Sequence, residues 1–193
     1  MSTPAVGRAP EVLISAARIR ERTVELARRI EHDYADTDLL VCVGVLKGAV
    51  FFLSDLLQEL RLPVAVDFFQ ASSYHGRSSP GEVRIRKDID VFVRGRDVLL
   101  IEDIVDTGYT LRTILDLFRF RGARSVRLCA LLDKSARREV PVKVDYRGFE
   151  IDDLFVVGYG LDYEERWRNL PYVGTLSVPE HAGEREDDAD AHD

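Results

Sequence analysis

Apolar residues in this chain fall in short unbroken runs that alternate with longer amphipathic stretches, and the alternation sets out the fold. Ser15 sits where a helix N-cap belongs, and Ile19, Ala27, Ile30 and Tyr34 then recur near multiples of 3.6 through an Arg- and Glu-rich segment, which predicts an amphipathic helix. LLVCVGV (39–45) reads as a buried strand, AVFFLSDLLQEL (49–60) as a strongly apolar helix and VAVDFFQ (64–70) as the next strand. Residues 71–82, rich in Ser, Gly and Pro, are too polar for a core and too long for a tight turn, so a mobile loop is expected there. VRIRKDIDVFV (83–93) alternates like a strand, Arg94-Gly95-Arg96 makes a turn, and DVLLIED (97–103) is a buried strand. TLRTILDLFRF (110–120) is a helix closed by Gly122 as a left-handed cap, and SVRLCALL (125–132) is a further strand. Strands alternating with helices in this way predict an α/β domain around a mostly parallel sheet, with ligands at the carboxyl ends of the strands. DLFVVGYG (153–160) and YVGTLS (172–177) look like short strands outside that alternation, the material of a small subdomain over the sheet edge.

Bulk properties narrow the class. The 193 residues fit one domain with a small appendage. No run approaches the length of a membrane span, and MSTPAVGRAP lacks the apolar core of a signal peptide, so an intracellular, cytoplasmic protein without a membrane partner is expected. Cys42 and Cys129 both lie in strand-like apolar runs and are read as core filler, while the four histidines show no ligand spacing. The net charge of −7 is concentrated in residues 180–193, where seven carboxylates meet one arginine. That leaves the body nearly neutral and marks the segment as a solvated, disordered tail, as the first ten residues also read.

Chemistry concentrates at residues 101–110. In LLIEDIVDTGYT an apolar strand ends in Glu102, Asp103 and Asp106, and Thr107-Gly108-Tyr109-Thr110 follows at a helix start. Free backbone N–H groups, hydroxyls and a helix N-terminus suit a phosphate monoester. The adjacent acids would repel that phosphate unless they face sugar hydroxyls or a divalent cation.

This string resembles the PRPP-binding signature of type I phosphoribosyltransferases. The wider chain, from about Val12 to about Leu176, resembles the bacterial hypoxanthine (hypoxanthine-guanine) phosphoribosyltransferases through VLKGAVFFLSDL (45–56), SSYHG (72–76), LLDKSARR (131–138), YRGFEI (146–151) and FVVGYGLDYEERWRNLPYVG (155–174). The resemblance implies a central, mostly parallel sheet flanked by helices, with a core over about 37–150. A small hood comes from the N-terminal and C-terminal segments of a domain spanning 11–179. It also implies transfer of ribose 5-phosphate from PRPP to a 6-oxopurine with Mg2+.

Roles follow residue by residue. By resemblance Glu102 and Asp103 hold the ribose hydroxyls, partly through magnesium. Thr107, Gly108, Tyr109 and Thr110 cradle the 5-phosphate, and Asp106 is the acid–base residue, where a carboxylate can take a purine proton and stabilise an oxocarbenium-like transition state. Lys47, Gly48 and Arg168 would bind pyrophosphate, with Arg166 a competitor for the last place. Only four lysines stand against twenty-three arginines, which makes Lys47 and Lys134 informative. Lys134 matches the donor to the purine 6-oxo group, Phe155 the aromatic stacked on the base, Val156 a backbone contact, and Asp162 an acid near the base edge and a second magnesium. Ser73 and Tyr74 lie in the family's lid, which excludes water. Tyr109, Asp133 and Gly160 occupy places expected to be tolerant. A homodimer or homotetramer is implied.

Two other classes of protein fit the sequence less well. Regulators on the same fold keep the PRPP signature and bind nucleic acid, but they have no need of Lys134, Phe155 and Asp162 together, so no nucleic-acid partner is expected. Dinucleotide and P-loop sites are excluded, because no G-x-G-x-x-G follows the first strand and GVLKGAV lacks the G-x-x-x-x-G-K-[ST] pattern.

Overall fold

A computed structural model describes residues 9–73 and 83–176. The acidic tail expected from sequence, residues 1–8 of the expected flexible N-terminus, Tyr74 and most of the expected loop lie outside those residues. In chain order the elements are β1 (Glu11–Ile14), α1 (Ala16–Asp33), β2 (Leu40–Val45), α2 (Val50–Glu59), β3 (Val64–Ser73), β4 (Val83–Lys87), β5 (Asp97–Val105), α3 (Tyr109–Phe120), β6 (Ser125–Asp133), a 3-10 turn (Ser135–Arg137), β7 (Tyr146–Glu150), β8 (Val156–Val157) and β9 (Val173–Thr175). Six strands form one sheet in the order β4-β3-β2-β5-β6-β7, parallel except for β4, and β1-β9-β8 form a second, antiparallel sheet of three.

The apolar runs are continuous because both faces of the main sheet are covered. Cys42, Leu99, Ile101, Cys129 and Leu131 pack on one face with Ile19, Leu26 and Ile30 of α1 and Phe52 and Leu56 of α2. Their neighbours Val41, Val43, Val98, Leu100, Leu128 and Ala130 pack on the other with Leu111, Ile114, Leu115 and Phe118 of α3. Both cysteines are free and buried; burial pushes the Cys42 thiol up to about 12 and raises that of Cys129, so both behave as apolar filler. Ser15 caps α1 by accepting from the Arg18 N–H, and Gly122, at φ +83°, ends α3 in a left-handed turn. No helix among the described residues is long and apolar enough to cross a membrane.

Three departures from the sequence reading have local causes. Ala71–Ser73 continue β3 and do not begin a loop, because β4 pairs with them antiparallel (Ala71 with Ile85, Ser73 with Val83) and supplies their backbone partners. β4 in turn stops at Lys87, short of 93. The carboxylate of Asp67 accepts from the N–H groups of Asp90 (2.6 Å) and Val91 (2.9 Å), diverting them from a strand ladder. Of 153–160 and 172–176 only the stretches named β8 and β9 are strand, the former followed by tight turns bridging Gly158 to Leu161 and Tyr163 to Arg166, and Ser177 lies outside the described residues.

One anchor of the sheet predicts its own acid response. Asp97, buried at the start of β5, accepts from Ser125 Oγ (2.7 Å), Thr37 Oγ1 (2.8 Å) and Arg124 Nε (3.0 Å). The Arg124 guanidinium, with the two hydroxyls, outweighs burial and holds this carboxyl well below the usual carboxylate range. A depressed folded-state pKa contributes stability that is complete above the unfolded value, about 3.9, and is lost as pH falls below it. Asp97→Asn should therefore cost about 1–3 kcal/mol at neutral pH. Urea melts of both proteins from pH 7 to pH 2.5 should show that gap closing below about pH 4; a pH-independent gap would mean the carboxylate's charge contributes nothing.

Candidate active site

The carboxyl ends of β2, β5 and β6 converge, and the loop after β8 folds back over them. At the end of β5, Thr107 and Gly108 make the turn into α3. Gly108 has φ +96°, and a Cβ there would lie 2.7 Å from the Val140 carbonyl oxygen, so only glycine fits the turn. The Thr107 carbonyl accepts from both Glu139 and Val140 N–H groups (3.0 Å each), which fastens the turn to the segment after β6. Among the described residues no side chain caps the start of α3, so its first-turn N–H groups are left without a capping partner there. A cavity of about 250 Å³ opens there, lined by Glu102, Asp106, Thr107, Gly108 and Thr110 together with Leu46 and Ala71.

Glu102 and Asp103 are consecutive strand residues with little solvent. Glu102 Oε2 is buried without a partner among the described residues, and its carboxyl is raised well above the ordinary range by burial first and then by the charge of Asp103. Burial raises Asp103 as well, although its Oδ1 accepts the Ile104 N–H at 2.7 Å. An orphaned buried carboxylate oxygen beside a second carboxylate fits a hard divalent cation. Among the described residues no three His, Cys, Asp or Glu side chains cluster as metal ligands, so a cation at this pair would complete its shell with substrate oxygens and water.

Backbone packs on side chain at the next layer. A Cβ on Gly48 would sit 1.4 Å from Asp103 Oδ2, and a Cβ on Gly160 would sit 1.9 Å from the Gly48 carbonyl oxygen. The peptide between Leu46 and Lys47 is cis. Arg168 Nη1 donates to the Gly160 carbonyl (2.8 Å) and Nη2 pairs with Asp162 Oδ1 (2.7 Å), which carries Asp162 to the same corner. Lys47 Nζ meets Glu165 Oε1 at 2.8 Å, while Glu165 Oε2 is 3.2 Å from Arg168. Lys47, Gly48, Asp162 and Arg168 are thus brought together, and Glu165, which the sequence reading missed, bridges the two cations. Arg166 is exposed and takes no part.

The opposite end holds Lys134, buried, with its N–H on the Val105 carbonyl (2.9 Å) and its Nζ 3.3 Å from Asp153 Oδ1. Arg137 Nε lies 3.2 Å from Asp106 Oδ1, and Arg137 Nη1 lies 3.3 Å from the same Asp153 oxygen. Phe155 is 44 % exposed and touches Tyr163 edge to face at 5.5 Å, leaving ring surface free, whereas Val156 is buried in β8. Ser73 ends β3. Arg137 and Asp153 were also missed: their signal is spatial, two charges on separate loops meeting beside Lys134.

Two of the three tolerant places are constrained. Gly160 has φ +104° besides its contact with Gly48, and Asp133 is buried between Arg138 and Arg147. Tyr109 is 40 % exposed at the start of α3.

A sheet of this topology places paired acids and a helix start at its switch point, where α/β folds bind phosphorylated ligands. A family model for the phosphoribosyl transferase domain matches residues 14–164, and the chain belongs to that family. Within it, the chain is 48 % identical over 167 residues to the hypoxanthine-guanine phosphoribosyltransferase of Bacillus subtilis, covering 86 % of this chain and 92 % of that one. It is equally identical over 168 residues to the hypoxanthine phosphoribosyltransferase of Salmonella typhimurium, covering 86 % and 94 %. A crystal structure of the Staphylococcus aureus hypoxanthine phosphoribosyltransferase superposes with a TM-score of 0.82 at 45 % identity, covering 86 % of this chain and 90 % of that one.

Proposed function

We propose that this chain is a purine-salvage transferase that converts hypoxanthine or guanine, with PRPP, into the nucleoside monophosphate and pyrophosphate. The observation that carries the reading is the cavity in which Glu102 and Asp106 share a wall with the uncapped start of α3. Thr107 to Thr110 take the 5-phosphate through backbone N–H groups and hydroxyls. Glu102 and Asp103 face the ribose, and Lys47, Gly48 and Arg168 receive the leaving pyrophosphate, which requires Glu165 to give up its cations. Lys134 donates to the 6-oxo group, Phe155 offers its free ring face to the base, and Val156 contributes backbone. Asp106, at the cavity wall, takes a proton from the purine as the ring nitrogen attacks C1 of the ribose. Magnesium would be held by Glu102 and Asp103, with Asp162 toward a second ion, and would neutralise pyrophosphate charge as the bond to C1 breaks. A homodimer or homotetramer in the cytoplasm goes with this reading, and the two free thiols agree with a reducing compartment.

Incubation of the purified chain with magnesium and PRPP should consume hypoxanthine or guanine and leave adenine and orotate untouched, because a donor at Lys134 pairs with a 6-oxo group and clashes with a 6-amino group. Turnover of orotate alone, or sequence-dependent nucleic-acid binding without transferase activity, would overturn the assignment.

A further inference from the structure

The four charged side chains at the base end form a chain of contacts with an unusual property: it joins the two groups that would address neighbouring atoms of the purine. Lys134 follows β6, Asp106 follows β5, Arg137 ends the 3-10 turn, and Asp153 lies between β7 and β8. Asp153 Oδ1 stands 3.3 Å from both Lys134 Nζ and Arg137 Nη1, and Arg137 Nε stands 3.2 Å from Asp106 Oδ1. The last contact is an ion pair without hydrogen-bond alignment, since Asp106 Oδ1 has no hydrogen-bond partner among the described residues. We infer that Arg137 and Asp153 are positioning residues that couple the 6-oxo donor Lys134 to the acid–base residue Asp106, fixing the spacing at which both meet the purine edge. This rests on the proposed 6-oxopurine reaction.

The chemistry of each member supports the coupling. A lysine ammonium has three donors on a flexible stem. Lys134 is buried and spends one donor on Asp153, which fixes its direction and leaves two for the site. A planar guanidinium holds two carboxylates at a set separation in a way that an ammonium cannot. Asp106, Arg137 and Asp153 have side chains 42 %, 44 % and 56 % exposed. Pairs that exposed contribute little to folding, so their joint placement beside Lys134 has a small structural return and a large geometric one. Proton transfer to Asp106 weakens its attraction to Arg137, and Asp153 is placed to keep the guanidinium neutralised at that moment.

Steady-state kinetics with hypoxanthine and PRPP on Asp153→Asn, Arg137→Lys and the double variant test this. Asp153→Asn should raise KM for hypoxanthine by about tenfold, and Arg137→Lys should lower kcat by roughly 10–100-fold despite keeping the charge, the scale of misplacing a reacting group by an ångström. KM for PRPP and the thermal midpoint should stay at the unsubstituted values. The double variant should lose clearly less than the product of the single losses, because both substitutions open the same chain. Single variants within twofold of the unsubstituted chain, full rescue by lysine at 137, or losses that multiply would overturn the coupling while leaving the transferase reading intact. An unsubstituted chain that ignores 6-oxopurines would overturn both.

Discussion

Asp106→Asn should leave a protein that folds like the unsubstituted chain and turns over hypoxanthine on the order of 10²–10⁴-fold more slowly, the usual contribution of a positioned acid–base group. The substitution is nearly isosteric and its site is half exposed, at the edge of the cavity beneath the start of α3, so little packing is lost. On the proposed role, what disappears is the capacity to accept a proton from the purine and a negative charge at the reacting centre. Both are needed only as the reaction proceeds, so kcat should fall while KM for PRPP moves little. The same change removes the charge that holds Arg137 Nε at 3.2 Å, an exposed pair that contributes little, so the thermal midpoint should be unchanged or slightly lower. Initial rates of IMP formation and a thermal melt are the two measurements required. Activity within tenfold of the unsubstituted chain would remove Asp106 from the acid–base role and move attention to the Glu102–Asp103 pair, whose carboxyls burial raises above the ordinary range.

Why some of this was legible in the sequence follows from what each feature depends on. β2, β5 and β6 are apolar on both faces and helices cover both, so their runs are uninterrupted and need no partner to be read. The start of α3 was legible because a strand end, a turn glycine and a helix face are contiguous along twenty residues. β1 was not, because its four residues are strand only by pairing with β9, at the other end of the chain. β4 was overextended because an alternating pattern cannot reveal that Asp67, some twenty residues earlier, captures the next backbone donors. Within the site, Lys47, Arg168 and Lys134 stood out by type and motif. Glu165, Arg137 and Asp153 act through pairs with partners on other loops, so their roles exist only once the chain ends of three strands have met.

Gly160→Ala should damage both stability and the pyrophosphate end of the site, although sequence alone placed this residue among the tolerant ones. Its φ of +104° already disfavours any L side chain, a cost of about 1–3 kcal/mol. The new Cβ would lie 1.9 Å from the carbonyl oxygen of Gly48 and 3.0 Å from its carbonyl carbon, and these are backbone atoms that no rotamer change can clear. Gly48 cannot retreat, since its own Cα rests against the Asp103 carboxylate so closely that a Cβ there would be 1.4 Å from Oδ2. The loop after β8 must therefore lift, adding about 1–3 kcal/mol of overpacking strain. That loop is tied to Gly160 at both ends of its peptide group: the N–H donates to the Arg168 carbonyl at 2.9 Å, and the carbonyl accepts from Arg168 Nη1 at 2.8 Å. Lifting it carries Arg168, and Asp162 paired with it, away from Lys47 and Gly48. Urea denaturation should show a loss of about 2–4 kcal/mol, and steady-state kinetics a rise of at least about tenfold in KM for PRPP with a smaller change for the base, whose proposed contacts Lys134 and Asp106 directly follow β6 and β5. A variant as stable as the unsubstituted chain, with an unaltered KM for PRPP, would mean that the glycine-on-glycine contact does not set the pyrophosphate end of the site.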